Sequence, residues 1–284
     1  MYTSKLVAIF ILITWLLFKL SRIGKRAANL PPGPPTVPLL GNIHLLPTRF
    51  SFVKFTEWAK EYGGIMSLKV ASGTIIVLSD MQSVKDILDD RSSETAFRPS
   101  LHAADVVTEK KYIPLANPDN HVWRMGRRAI QPLVSHQAVQ EYLPVAELET
   151  TQLLHDIIHN PDGLCHHISR YTFSFIASVV FGKAAPTSDS PELAHFNNYM
   201  RHQSSTVSPE AAPVDLIPIL KYVPERWAPW KQLWTETRRL QRSLYYSFLE
   251  QSERRIESGA KSGAFIERIM DRQEELKLTR EMVA

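Results

Sequence analysis

Trp123 and Arg127 stand four residues apart in WRMGRRAI, a spacing that puts both on one face if the segment is helical. An indole N–H and a guanidinium only donate hydrogen bonds, and the guanidinium fork matches a carboxylate. Two uses are open to such a pair. It could hold a ligand carrying two carboxylates, or the guanidinium could stack on the indole. Arg124 and Arg128 repeat the spacing on the adjacent face. They either meet an acidic partner or are solvated charges.

The only cysteine, Cys165, lies in NPDGLCHH, and His155, His159, His166 and His167 gather four of the ten histidines within 13 residues. His155 and His159 share a helix face and, with Cys165, could hold zinc. No Glu adjoins His155 to serve a hydrolase, and no second cysteine exists for a structural cage. Solvated helix-end histidines are the expectation, and no metal-ligand set is assigned. Glu236-Thr237-Arg238-Arg239 offers a Glu-x-x-Arg spacing, expected as an exposed i,i+3 pair. There is no Ser/His/Asp array, no phosphate-cradling Gly loop and no supported carboxylate pair.

These side chains need helices, and the pattern supplies them. Phe52, Phe55, Ala59 and Tyr62 recur at helical spacing before Gly63-Gly64, a stop signal. GIMSLKVASGTIIVLSD reads as a hairpin, with strands over Ile65–Val70 and Thr74–Leu78 and a turn at 71–73. Ser79 and Gln82 have capping-box spacing for a helix over 81–90. A loop is expected from about 92 to 117. Asn117-Pro118 then resembles an N-cap and first-turn proline for the helix holding Trp123. Helices are expected near 141–159, 166–182, 191–205, 230–257 and 263–274, separated by Pro161-Asp162-Gly163 and two proline-punctuated stretches. Trp227, Trp230 and Trp234 form a helical stripe, but Pro224 and Pro229 put Trp227 in a loop, facing a membrane, and Trp234 in the core.

The chain's 284 residues are 44% hydrophobic and 22% charged, which excludes a disordered tail, a fibre and a multi-span membrane protein. Its net charge of +4 suggests nucleic acid until the charges are placed. Lys5, Lys19, Arg22, Lys25 and Arg26 all precede the first acid; the remaining 28 basic residues face 29 acidic ones. The body therefore has no basic excess for a nucleic-acid face. Leu6 to Phe18 is apolar except for Thr14. With a snorkelling Lys19 and the run to Ile23 it makes about 27 Å of helix, enough for a thin bilayer. Basic residues are denser after this run than before it, which keeps the body cytosolic. Pro31-Pro32-Gly33-Pro34-Pro35 then reads as a stiff spacer. The expected organisation is a transmembrane anchor over 1–24, a basic and proline-rich hinge over 25–41, and a body over 42–284.

An anchor, a basic stop, PPGPPTVPLLGN, a helix, a hairpin, ETAFRPS, Trp-x-x-x-Arg, SFIASVVFG and DLIPILKYVPERWAPWK follow one another in a series that resembles the N-terminal half of a membrane-bound cytochrome P-450 monooxygenase. The likeness is to fungal enzymes of secondary metabolism. It implies a mainly α fold with a small β-sheet, ending at about the family's H helix. It implies that Trp123 and Arg127 hold haem propionates, and that Arg124 and Arg128 face an NADPH-dependent diflavin reductase. A whole enzyme of this kind oxidises a lipophilic small molecule with O2, from the endoplasmic reticulum membrane.

The resemblance also marks departures. The family's iron ligand lies in Phe-x-x-Gly-x-Arg-x-Cys-x-Gly; no Phe, Gly or Arg stands at those offsets before Cys165, and His167 replaces the final Gly. Cys165 is therefore not expected as the ligand, and no catalytic residue is assigned. The oxygen-activating Ala/Gly-Gly-x-Asp/Glu-Thr motif is not found, and the Glu236 match precedes where the family places Glu-x-x-Arg. The expectation is a truncated, catalytically inactive member that does not hold haem stably. The rival is a non-catalytic, membrane-anchored helical protein that binds a lipophile or a partner.

Overall fold

The computed structural model describes residues 14, 15, 18, 22–47, 50–98, 101–109, 120–207, 214, 215 and 217–283. The apolar run at 6–18, Asn117-Pro118 and Leu216 fall wholly or largely outside them. Among the described residues no helix is long and apolar enough to cross a membrane. The chain forms two compact units, residues 1–97 with 213–222 and residues 98–212 with 223–284.

In the first unit, α1 (Ser51–Tyr62) ends where Gly63, at φ 97°, donates its N–H to the Ala59 carbonyl. The hairpin is as expected: β1 (Ile65–Val70) pairs antiparallel with β2 (Gly73–Leu78), Ile65 opposite Leu78 and Val70 opposite Gly73. Met66 and Leu68 bury one face of β1 against Trp58, with Phe55 and Tyr62 beside it. The expected apolar stripe of α1 is only partly realised, because Phe52 is exposed and Trp58 is its buried anchor. After the hairpin, Asp80 rather than Ser79 caps α2 (Met81–Val84), accepting from the Ser83 N–H at 2.8 Å. That turn continues as a π-helical stretch to Asp89, followed by α3 (Ser92–Thr95).

The proline segment is not a free spacer. Buried carbonyls need donors, and a run of prolines supplies almost no N–H groups of its own, so they must come from other residues. Asn42, fully buried, donates to the carbonyls of Pro34 (3.1 Å) and Pro35 (2.8 Å) and accepts from the Lys69 N–H (2.8 Å). Arg26 donates to the carbonyls of Gly33, Pro34 and Ser67. Ser67 donates its N–H to Pro32 and its hydroxyl to Pro31. Gly33 is required there, since a Cβ would lie 2.3 Å from the Ser67 carbonyl oxygen.

The second unit is helical. Within the expected loop lies α4 (His102–Thr108), which buries Ala103, Ala104 and Val107; a seven-residue helix is too short for periodicity to reveal, and burial sustains it. Next come α5 (His121–Ile130) and α6 (His136–His159). The latter starts earlier than expected because Ser135 caps it, and it carries Pro144 in its interior. A turn at Pro161–Gly163 returns the chain into α7 (Leu164–Phe181), which packs on α6. Then α8 (Pro191–Val207) packs on α9 (Pro229–Glu257), and α10 (Phe265–Asp271) and α11 (Arg280–Val283) follow. One core joins Phe173, Ala177, Leu193, Tyr199, Leu244 and Phe248; a second joins Ala129 to Phe265, Ile269, Leu276 and Leu278.

Candidate functional site

The helix that carries the Trp-x-x-x-Arg spacing begins at Asn120, whose side chain accepts from the Val122 N–H at 2.8 Å. Within α5, Gly126 and Ala129 face inward onto the α10 cluster. Trp123, Arg127 and Ile130 form the neighbouring stripe, with Trp123 half-buried and Arg127 exposed. Arg127 and Arg128 occupy the last turn, where the helix dipole favours cations. Arg124 and Arg128 lie on a third face, about 100° around the helix from the Trp123 stripe, and both are exposed.

Trp123 and Arg127 make no ring contact, and among the described residues no carboxylate pairs with Arg124, Arg127 or Arg128. The stacked arrangement of Trp123 on Arg127 is thus not the one adopted. Two donor groups are left uncommitted on one stripe of α5, and neither lines the apolar groove of about 170 Å³ that Gly126, Ala129 and Ile130 form with Phe181 on α7 and Phe265 and Ile269 on α10. An indole N–H and a guanidinium one turn apart are donors suited to a ligand that carries two carboxylates.

The groove wall is held by an interaction the sequence reading missed. Glu267, at the third position of α10, accepts from the N–H groups of Ser262 and Gly263, the Ser262 hydroxyl and Arg255. Burial alone would raise its carboxyl; these donors outweigh burial and lower it to about 2. Arg255 also donates to the Phe181 carbonyl at 2.9 Å. A Glu three residues beyond the N-cap Ala264 was the available signal. A second missed cluster is buried deeper. Arg170 bonds Glu149 (2.7 Å), Asp156 (3.0 Å) and the Ala185 carbonyl, and Ser174 bonds Glu149.

The remaining singled-out residues separate. Cys165 is exposed in the first turn of α7. Among the described residues no three His, Cys, Asp or Glu side chains assemble a metal site, so His155, His159 and Cys165 do not make a three-ligand set. Glu236 and Arg239 form the expected exposed pair, with contacts of 2.7 and 2.8 Å. Trp234 is buried, and Trp227 is exposed in a 3-10 turn at Glu225–Trp227.

A family model for cytochrome P450 matches residues 31–284. A cytochrome P450 monooxygenase of Armillaria gallica is 34% identical over 268 residues, covering 94% of this chain and 51% of that protein. One from Aspergillus terreus is 33% identical over 284 residues, covering 99% of this chain and 53% of that protein. The chain thus spans about half the length of these curated relatives. A zebrafish cytochrome P450 solved with progesterone superposes with a TM-score of 0.61 at 18% identity, over 81% of this chain and 54% of that one, a likeness of fold. With the mainly helical build, the small hairpin and the family match over residues 31–284, this chain belongs to the cytochrome P450 family.

Proposed function

We propose that these 284 residues are the N-terminal half of a membrane-anchored haem-thiolate monooxygenase of fungal secondary metabolism, whose whole-length form oxidises a lipophilic small molecule. The observation that carries this reading is the pair of donors Trp123 and Arg127, one turn apart on the same stripe of α5 and without a partner among the described residues. In it, Trp123 donates through its indole N–H and Arg127 through its guanidinium to the two propionates. When bound, haem supplies the iron at which dioxygen is activated. Arg124 and Arg128, exposed on their own face and without a carboxylate partner among the described residues, meet an acidic surface of the diflavin reductase.

Residues 1–24 are the single-pass anchor in the endoplasmic reticulum membrane, 25–41 the hinge and 42–284 the cytosolic body. Lys19, Arg22, Lys25 and Arg26 support that orientation. The 284 residues alone do not supply the iron's thiolate, because Cys165 is exposed at a helix start and lacks the ligand's neighbours. They are catalytically inactive by themselves.

Titrating the chain in detergent with haemin and with its dimethyl ester tests the site. The ester, with its carboxylates capped, should bind more weakly than haemin. Arg127→Gln and Trp123→Phe should weaken haemin binding and leave the ester unaffected. Equal binding of the two ligands by the unaltered chain would refute the propionate role. Reduction under carbon monoxide should give no red-shifted Soret band of thiolate ligation; such a band abolished by Cys165→Ser would refute the assignment of Cys165. Protease added outside intact microsomes should remove the body, and carbonate washing should leave the anchor in the membrane.

A further inference from the structure

We propose that His155 and His159 form an open two-imidazole site for a divalent transition-metal ion, Cu(II) above Ni(II) and Zn(II). Both side chains are exposed near the end of α6, His159 in its last turn and His155 one turn earlier, with ring centroids 4.0 Å apart and planes inclined by 27°. Rings four residues apart on one helix face are close enough to share an ion.

The hydrogen bonding sets which ring nitrogens are free. His159 Nδ1 lies 2.8 Å from the His155 carbonyl oxygen. A carbonyl only accepts, so Nδ1 carries the proton and Nε2 keeps its lone pair. His155 Nδ1 faces Asp156 Oδ1 at 3.7 Å, and a carboxylate beside that nitrogen favours the proton there. Asp156 is itself fixed by Gln152 (2.7 Å) and Arg170 (3.0 Å). Both Nε2 atoms are therefore bare acceptors on side-by-side rings. The backing of each Nδ1 by a carbonyl or a carboxylate is the arrangement that orients metal-bound imidazoles.

No third side chain joins the pair among the described residues, so water completes the coordination. A two-nitrogen site with open positions ranks ions by intrinsic affinity, which puts Cu(II) first. The ion then ties the last turn of the helix, next to the Pro161–Gly163 turn that leads into α7.

The test uses the full chain in detergent, carrying Cys165→Ser to remove thiol chemistry, titrated with copper(II) sulfate. Paramagnetic resonance should show one ion with two nitrogen ligands, and thermal unfolding should shift upward with copper concentration. His155→Asn and His159→Asn should each weaken binding roughly tenfold or more. Nickel and zinc should bind at higher concentrations than copper. Unchanged affinity in the double variant, or a signal from a single nitrogen, would overturn the proposal. A second measurement needs no variant: bound copper should protect His155 and His159 from diethyl pyrocarbonate, mapped by mass spectrometry. Equal labelling of both residues with and without copper would also overturn it.

Discussion

Arg255 serves two acceptors at once: Nη2 lies 2.8 Å from Glu267 Oε1 and donates to the Phe181 carbonyl at 2.9 Å. That single side chain joins the end of α7 to α9 and α10, and so holds two walls of the groove beside α5. The last carbonyls of a helix have no partner within it, and Arg255 satisfies one of them in α7.

Glu267 makes this arrangement sensitive to acid. Its carboxyl is lowered from 4.5 to about 2 when folded, and its side chain is only 4% exposed. The resulting stabilisation, up to about 3 kcal/mol, is complete above the unfolded value and is lost as pH falls from about 4.5 toward 2. Glu267→Gln should therefore be less stable than the unaltered chain at pH 7, with the gap narrowing toward pH 3. Urea unfolding at the two pH values measures it; a gap of equal size at both would contradict the assignment.

Arg170 is 1% exposed, and its partner Glu149 has a side chain 7% exposed. Removing one member strands a buried charge, so Arg170→Ala should cost about 3–5 kcal/mol. Combining Arg170→Met with Glu149→Gln should recover part of that loss, because Glu149 is then no longer a buried, unpaired charge. A double-mutant cycle by chemical denaturation decides between this coupling and simple additivity.

Asn42 makes three hydrogen bonds while fully buried, tying Pro34 and Pro35 to β1. Asn42→Ala should lower stability by about 2–4 kcal/mol. Asn42→Asp keeps the acceptor for the Lys69 N–H but sets a buried carboxylate against the Pro34 and Pro35 carbonyl oxygens, and should cost more than the Ala variant. Hydrogen exchange at the Lys69 amide is the local readout: fast in the Ala variant and protected in the unaltered chain.

The proposed membrane association gives Trp227 a role. It is 64% exposed, and the Arg226 guanidinium stacks 4.2 Å over its ring. An exposed indole beside a cation suits the headgroup layer, where ring and N–H are both accommodated. With Cys165→Ser as background, a fluorophore on Trp227→Cys should be quenched by shallow nitroxide lipids in reconstituted vesicles. The same label on Met81→Cys, a position 81% exposed, is the reference. Equal quenching at the two positions would remove Trp227 from the membrane.

Local chemistry made much of the fold legible. Gly63 ends α1 and alternation marks the hairpin. The expected helices over 166–182, 191–205 and 230–257 lie within two residues of α7, α8 and α9 at each end. The cap of α2 and the start of α6 differed from expectation, because a helix takes whichever nearby oxygen reaches its free N–H groups. Asp80 and Ser135 provided it. Four residues of spacing were enough to place Trp123 and Arg127 together on α5. Whether they stacked depended on packing, since both arrangements are open to the same helix.

What the sequence by itself determined was therefore whatever depends on neighbours along the chain: helix faces, the hairpin turn, the charge flanking the apolar run, and the wrong surroundings of Cys165. Tertiary structure decided what depends on distant partners. It gave the proline carbonyls donors from Asn42 and Arg26, Glu267 its low carboxyl, and Arg170 its buried acids. Folding also fixed Asp156 beside His155 through Arg170, fourteen residues away in sequence. Such relationships arise only when burial removes water and leaves each polar group to the partner that folding brings within reach.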